Sequence, residues 1–351
     1  TALFFKSDSF LEDSSDLTNT KILSSYKELE SALKLEPHLS GVLFISIMTF
    51  EGRIIKLYEL LTKYNCILGV FGRNMFPLAP IPRTFFGVLK RIKLSTVLNH
   101  LKGRKLIGLM NEGKIKKYDV AFLGGSFGWQ GIGRISLDDL KDTEQVKVNS
   151  DDYDNYLLLK DQKNNASEKY ILFLDEYLPL HPDTVLFNIK NVKAEDYYPE
   201  LNNYFNRVEK QFGLPVVVAA HPKAIRYKTE DFFNGRKVVF NQTAQLTKEA
   251  FFVLAHDTTS INYPIAFGKK IHFITSTNIL NGISSVHQNV IHFANCLGCN
   301  YQFMDNLDEK INLIDVLPVK NYENYKYSFQ TSPETENKLT SEIFTDFLTK
   351  G

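Results

Sequence analysis

Cysteine is scarce: Cys66, Cys296 and Cys299 are the only three in 351 residues. Three thiols cannot all pair with one another, so a disulfide framework is excluded and a reducing compartment is expected. Cys296-Leu-Gly-Cys299 has the spacing of a redox or zinc pair. No second cysteine pair lies nearby and His292 leaves the ligand set short of four, so no metal site is expected. Long apolar runs are also lacking, since none reaches the roughly 18 residues that cross a bilayer. The opening Thr1-Ala-Leu-Phe-Phe-Lys has neither the charged leader nor the apolar stretch of a signal peptide. A cytoplasmic protein is expected, in contact with the inner membrane face at most peripherally. An excess of either charge is missing as well, with 41 basic and 40 acidic side chains and a formal net charge of +1. That balance supplies no global field for nucleic acid, so an anionic ligand must be held by a local site.

What is present is an ordinary globular composition, 44% hydrophobic and 23% charged, in a chain long enough for two cores of roughly 150 residues each. Short apolar runs alternate with amphipathic stretches. Residues 41–47, 66–72 and 117–123 read as strands in the first half, with helical spacing over 54–64. The polar stretch 137–168 predicts a linker, after which the pattern restarts. Strands are expected over 169–174, 214–220, 237–240, 250–255 and 270–275, with an amphipathic helix over 197–212 and a terminal helix over 334–348. Strands separated by helices predict parallel sheets. The expected fold is α/β, two Rossmann-like domains facing across a cleft. The expected limits are 1–150 for an acceptor-side domain and 165–325 for a donor-binding domain, with a C-terminal helical segment over 326–351.

In an open parallel sheet, ligands bind beyond the carboxyl ends of the strands. Three polar clusters of the second half fall there: Asp175-Glu176, His221-Pro222 and Thr258-Thr259-Ser260. The hydroxyl cluster leads into a short helical stretch, so hydroxyls and backbone N–H groups can bind phosphate oxygens; the plainer alternative is an N-cap. His221, with Lys223 and Arg226 nearby, can donate to a phosphate or stabilise a departing nucleotide, or can simply bond to backbone. Adjacent carboxylates on a strand point to opposite faces, so one of Asp175 and Glu176 faces the site, where it can act as general base. His181-Pro182-Asp183 is a second His-Pro that can orient the same loop. His256-Asp257 can form a donor–carboxylate pair, although no nucleophile pattern accompanies it. In the first half, the glycine-rich 124–133 is not a dinucleotide fingerprint. It is expected as a flexible acceptor-side loop in which Gly125, Ser126 and Trp129 line the site, with Arg73 and Arg83 contacting an anionic acceptor. Trp129 serves equally well as core.

The three clusters, in this order, resemble the motifs of bacterial sialyltransferases and the related nonulosonate and 3-deoxy-octulosonate (Kdo) transferases of capsule and lipopolysaccharide assembly. The resemblance spans about residues 170–275. It implies the two-domain GT-B fold, a CMP-activated acidic sugar as donor, a glycan or glycolipid acceptor, and neither a cofactor nor a metal. It further implies a base at Asp175 or Glu176, or a nucleophile in a retaining enzyme, with the CMP phosphate on His221, Thr259 and Ser260. Tyr177 stands where that group commonly has glycine. Two other readings share the architecture: a UDP-sugar transferase or epimerase, and a non-catalytic subunit that binds nucleotide or glycan.

Overall fold

The computed structural model describes residues 2–5, 20–36, 41–46, 50, 52–80, 94–163, 169–186 and 190–350. In chain order its elements are β1 (Ala2–Phe5), β2 (Thr20–Leu23), α1 (Tyr26–Leu35), β3 (Leu43–Ser46), α2 (Ile55–Lys63), β4 (Ile67–Gly72), α3 (Leu94–Asn111), β5 (Val120–Gly124), β6 (Glu144–Val148) and α4 (Asp151–Leu159). There follow β7 (Ile171–Leu174), α5 (Pro182–Leu186), α6 (Ala194–Phe212), β8 (Val216–Ala220), β9 (Val238–Phe240), α7 (Thr243–Glu249), β10 (Val253–Ala255) and α8 (Asn262–Ala266). The chain closes with β11 (Ile271–Thr275), α9 (Thr277–Gly282), α10 (Ser284–Leu297), β12 (Asn300–Phe303), α11 (Val319–Tyr325) and α12 (Thr340–Lys350). The chain divides into two compact units. One comprises residues 1–72, 84–123 and 129–146, the other 73–83, 124–128 and 147–351.

The first unit is built on a four-stranded sheet in the order β3-β4-β5-β6, with β3, β4 and β5 mutually parallel, and a separate parallel pair, β1 and β2. Its core gathers Leu29 and Leu33 of α1, Tyr58 and Leu61 of α2, Leu68 and Val70 of β4, and Ala121 and Leu123 of β5. Within it the buried hydroxyls of Tyr58 and Tyr118 hydrogen-bond to each other, which satisfies two polar groups that would be costly to bury alone.

The second unit carries six parallel strands in the order β12-β11-β10-β7-β8-β9. Both faces of this sheet are covered, which is why its strands read as continuous apolar runs. Ile171, Phe173, Val216 and Val218 pack on one face with Leu201, Phe205 and Val208 of α6. Leu172, Leu174, Val217 and Ala219 pack on the other with Val290 and Phe293 of α10. Gly213 ends α6 in the left-handed conformation (φ 66°), its N–H donating to Glu209 O at 2.8 Å.

Of the stretch 137–168 expected as a linker, the described residues 137–163 are structured. They form a 3-10 turn over Asp138–Leu140, then β6 and α4. β6 lies at the edge of its sheet, where polar side chains face solvent without cost, so its apolar signal is weak. The acidic run Asp151, Asp152, Asp154 is the first turn of α4, where negative charge favours a helix, and the Ser150 hydroxyl caps it by accepting from Tyr153 N–H at 3.2 Å. The tail helix begins later than expected, at Thr340. No helix among the described residues is long and apolar enough to cross a membrane.

Candidate functional site

In the second sheet the chain runs outward from β7 to β9, returns, and runs outward the other way from β10 to β12. The reversal falls between the adjacent strands β7 and β10, and in open parallel sheets ligands bind beyond the carboxyl ends of the strands at such a reversal. Leu174 of β7 pairs with Ala255 of β10 on one side and Ala219 of β8 on the other. Two residues further along each strand, this register sets Glu176 between Asp257 and His221. The motifs Asp175-Glu176 and His221 therefore share one edge of one sheet.

Asp175 is buried, 5% exposed, and keeps its backbone in the ladder by donating to Ala219 O at 3.1 Å. Its carboxyl accepts from His221 N–H at 3.4 Å and from the Tyr227 hydroxyl at 3.3 Å. The N–H groups of Tyr177, His221 and Glu176 and the Tyr227 hydroxyl all favour the carboxylate, but desolvation outweighs them and pushes Asp175 up to about 7. A carboxyl tuned there changes protonation at neutral pH. Tyr177 sits in the left-handed region (φ 57°, ψ 33°), the conformation glycine adopts freely. The backbone of Tyr177 thus has the shape that a glycine adopts freely, as expected for a glycine at this position. Its ring packs edge-on against Tyr227 at 5.1 Å, which compensates a strain of about 1 kcal/mol.

Glu176 is raised well above the usual carboxylate range, first by burial and then by Asp257, with which it shares a hydrogen bond. Two carboxyls can bond only if one keeps its proton, so the Glu176–Asp257 pair holds one proton between them. Asp257, itself raised by burial, also accepts from Asn289 Nδ2 at 2.8 Å, and Asn289 Oδ1 accepts Ala79 N–H at 3.0 Å. One oxygen of Glu176, Oε1, is buried with no hydrogen-bond partner among the described residues.

His221 is half-buried, and its Nδ1 accepts from Lys223 N–H at 3.1 Å. Pro222 and Lys223 are exposed, and the Lys223 ammonium pairs with Asp183 at 3.1 Å. The charge of Arg226 is matched by a two-pronged bond to Glu230, at 2.7 and 2.6 Å. The Thr258 hydroxyl accepts from Ser260 N–H at 3.2 Å and caps the 3-10 turn Thr259–Ile261. Thr259 is exposed and Ser260 half-buried at the start of that turn.

His256 does not pair with Asp257. Its fully buried ring lies between Ile274 O (2.7 Å from Nδ1) and the Tyr197 hydroxyl (2.9 Å from Nε2), and burial pushes it down to about 4. It is a neutral core histidine. Residues 124–128 are likewise not a free loop. Gly125 is left-handed (φ 69°), Ser126 N–H donates to Tyr327 O at 3.0 Å, and Phe127 N–H donates to Ser328 O at 2.9 Å. Gly125 and Ser126 line an open pocket with Lys147, Tyr327, Ser332 and Glu334. Trp129 packs against the core of the first unit. Arg73 forms an ion pair with Asp151 at 2.8 Å, and Arg83 lies outside the described residues. The three thiols are free, and no group of three or more His, Cys, Asp or Glu among the described residues is arranged to hold a metal ion.

Sequence reasoning missed Tyr227 and Asn289. Tyr227 sits in a 3-10 turn six residues after His221 and Asn289 in the middle of α10, and neither position carries a motif. Asp257 was noted beside the wrong partner, and only the register of β7 on β10 shows its match with Glu176.

No protein-family model and no curated protein matches the sequence. Solved structures that resemble the chain include a UDP-GlcNAc 2-epimerase from Methanocaldococcus jannaschii, at 11% identity and a TM-score of 0.45, covering 95% of this chain and 85% of that one. Another is a S. aureus MnaA–UDP co-structure, at 14% identity and a TM-score of 0.40, covering 94% and 84%. A third is WaaG, a glycosyltransferase of lipopolysaccharide biosynthesis, at 11% identity and a TM-score of 0.37, covering 93% and 95%.

Proposed function

We propose that this chain is a glycosyltransferase of the GT-B type that moves an acidic sugar from a CMP-activated donor to a glycan or glycolipid acceptor of bacterial surface polysaccharide. The sugar would be sialic acid, another nonulosonate or Kdo. The observation that carries this reading is the position of Asp175. Its carboxyl stands at the reversal of a parallel sheet, is poised to change protonation near pH 7, and is bonded to the backbone of the histidine that would face the donor phosphate. The acceptor hydroxyl gives its proton to the Asp175 carboxylate as its oxygen attacks the anomeric carbon. The bond from that carbon to the CMP phosphate breaks, and its electron pair leaves with the phosphate oxygen. The Nε2–H of His221 donates to that oxygen as charge builds, the kind of preorganised donor that accounts for much of an enzyme's rate. Glu176 is engaged in a shared-proton bond with Asp257, which leaves Asp175 the better placed base of the two.

The test is a thermal-shift series followed by a transfer assay. CMP at about 100 times its dissociation constant should stabilise the chain by about 2.7 kcal/mol, and UDP by much less. A panel of CMP-nonulosonates and CMP-Kdo with surface-glycan acceptors should then yield product. Stabilisation by UDP and not CMP would overturn the donor assignment in favour of a UDP-sugar enzyme. CMP binding with no transfer across the panel would overturn the enzymatic reading in favour of a binding subunit.

A further inference from the structure

Two histidines from different loops meet beside the candidate site. The rings of His181, after the Leu178–Leu180 turn, and His221, after β8, lie 4.9 Å apart between centroids and are inclined at 72°. Each Nδ1 accepts a backbone N–H from two residues ahead, Asp183 at 3.2 Å for His181 and Lys223 at 3.1 Å for His221. A nitrogen that accepts carries no proton, so both neutral rings are the Nε2–H tautomer. Among the described residues neither Nε2 has a hydrogen-bond partner. Two pre-oriented N–H donors are thus left without acceptors on adjacent rings, and each ring is held by its own backbone turn.

We infer that His181 and His221 together form a two-imidazole site for one phosphate group, with His181 as a second donor that the His-Pro motif alone does not reveal. That the phosphate belongs to a CMP-sugar rests on the function proposed above; the paired site itself does not. The other charged groups facing the rings are Lys223 and Asp183, paired with each other, and Asp175, which accepts the His221 backbone N–H. In the empty site each imidazole is held below its ordinary range by burial, with Lys223 and, for His221, the neighbouring ring acting the same way, while Asp183 opposes them. A bound phosphate reverses that balance, because its negative charge favours the imidazolium form of both rings. Binding should therefore take up protons and tighten as the pH falls.

The measurement is a CMP titration of the full chain, followed by the imidazole resonances of both histidines and repeated from pH 7.5 to 5.5, with UDP and inorganic phosphate as parallel probes. Both ring signals should move together, and CMP affinity should rise several-fold between pH 7.5 and 6.5, above the second pKa of about 6 at which the CMP phosphate itself takes up a proton. His181→Ala should weaken CMP about tenfold and flatten the pH dependence, while His181→Gln, which keeps an N–H donor, should restore part of the affinity without the pH dependence. Unchanged affinity and pH profile in His181→Ala would overturn the proposal. So would a titration of the unaltered protein in which only His221 responds, a result that stands even if the variants fold poorly. If UDP or inorganic phosphate moves both rings and CMP does not, the paired site holds and the CMP assignment fails. If CMP moves His221 alone, the CMP assignment holds and the pairing fails.

Discussion

The ends of β4 and β5 and the ends of β7, β8 and β10 obey the same topological rule and differ in how their polar groups are bonded. Beyond β4, the Arg73 guanidinium is paired with Asp151, and the left-handed Asn74 exchanges two hydrogen bonds with the same residue, at 2.6 and 3.0 Å. Beyond β5, the backbone of 126–127 is bonded to the carbonyls of Tyr327 and Ser328. The guanidinium, the Asn74 amide and these backbone N–H groups are all bonded within the protein. Beyond β7, β8 and β10, Asp175 is desolvated to a neutral-range pKa, and among the described residues Glu176 Oε1 and His221 Nε2 have no hydrogen-bond partner. A strand end says where a polar side chain faces. Whether its bonds are filled separates a structural joint from a place prepared for a ligand.

The hardest test of that contrast is Asp175→Asn, which keeps the shape and most of the bonds but not the basicity. Transfer should fall by about 10³-fold, within the range for loss of a general base. If Asp175 is the base proposed above, kcat/KM of the unaltered protein should rise with pH and level off above about 7, because the deprotonated carboxyl would then be the active form. Stability should run the other way. The folded-state pKa lies above the unfolded value, so the stabilising neutral form is fully present below about pH 4 and lost as the pH climbs through about 7. At pH 8 the asparagine variant should therefore be more stable than the parent, by on the order of 2–4 kcal/mol, and at pH 4 the two should melt together. A variant that lost stability at pH 8 would make Asp175 a joint like those beyond β4 and β5. Glu176→Gln sharpens the point, since glutamine imitates a protonated acid bonded to Asp257. It should cost less than about tenfold in turnover, and a loss as deep as that of Asp175→Asn would exchange the roles of the two carboxyls.

Much of the second sheet was legible in advance because its strands are buried on both faces and cannot avoid announcing themselves as apolar runs such as Val216-Val217-Val218. The strand-end clusters followed from the same signal. What stayed hidden depends on register and on partners distant in sequence. The match of Glu176 with Asp257 needs the pairing of β7 with β10, and the use of Tyr227 needs a 3-10 turn to carry it back to Asp175. The edge strand β6 and the helix α4 were misread because exposure and helix-start acidity both look like a linker in composition. Tyr177 shows the reverse case, in which a residue departs from the expected glycine while the backbone keeps the glycine's conformation.

On the saturated side of the comparison the expected losses are in stability. Gly125→Ala places a side chain at a positive φ and within 2.5 Å of the Ser328 carbonyl oxygen, where backbone must move to admit it. The cost should be about 2–3 kcal/mol, read as a drop of roughly 5–10 °C in melting temperature, while CMP affinity measured well below the transition is unchanged. A loss of affinity larger than the loss of folded protein would draw 124–128 into the ligand site after all.

The smallest effect separates the two uses of Arg73. As the partner of Asp151 in a partly exposed ion pair, with side chains 27% and 55% exposed, it should contribute no more than about 1 kcal/mol. Arg73→Ala should then shift the melting temperature by only a few degrees and leave both kcat and the acceptor KM where they were. If the arginine instead holds an anionic acceptor, the acceptor KM rises with kcat unchanged, the signature of an interaction made equally in ground and transition states. A rise confined to anionic acceptors would move the end of β4 from the structural side of the comparison to the functional one, because a joint has no means of telling one acceptor from another.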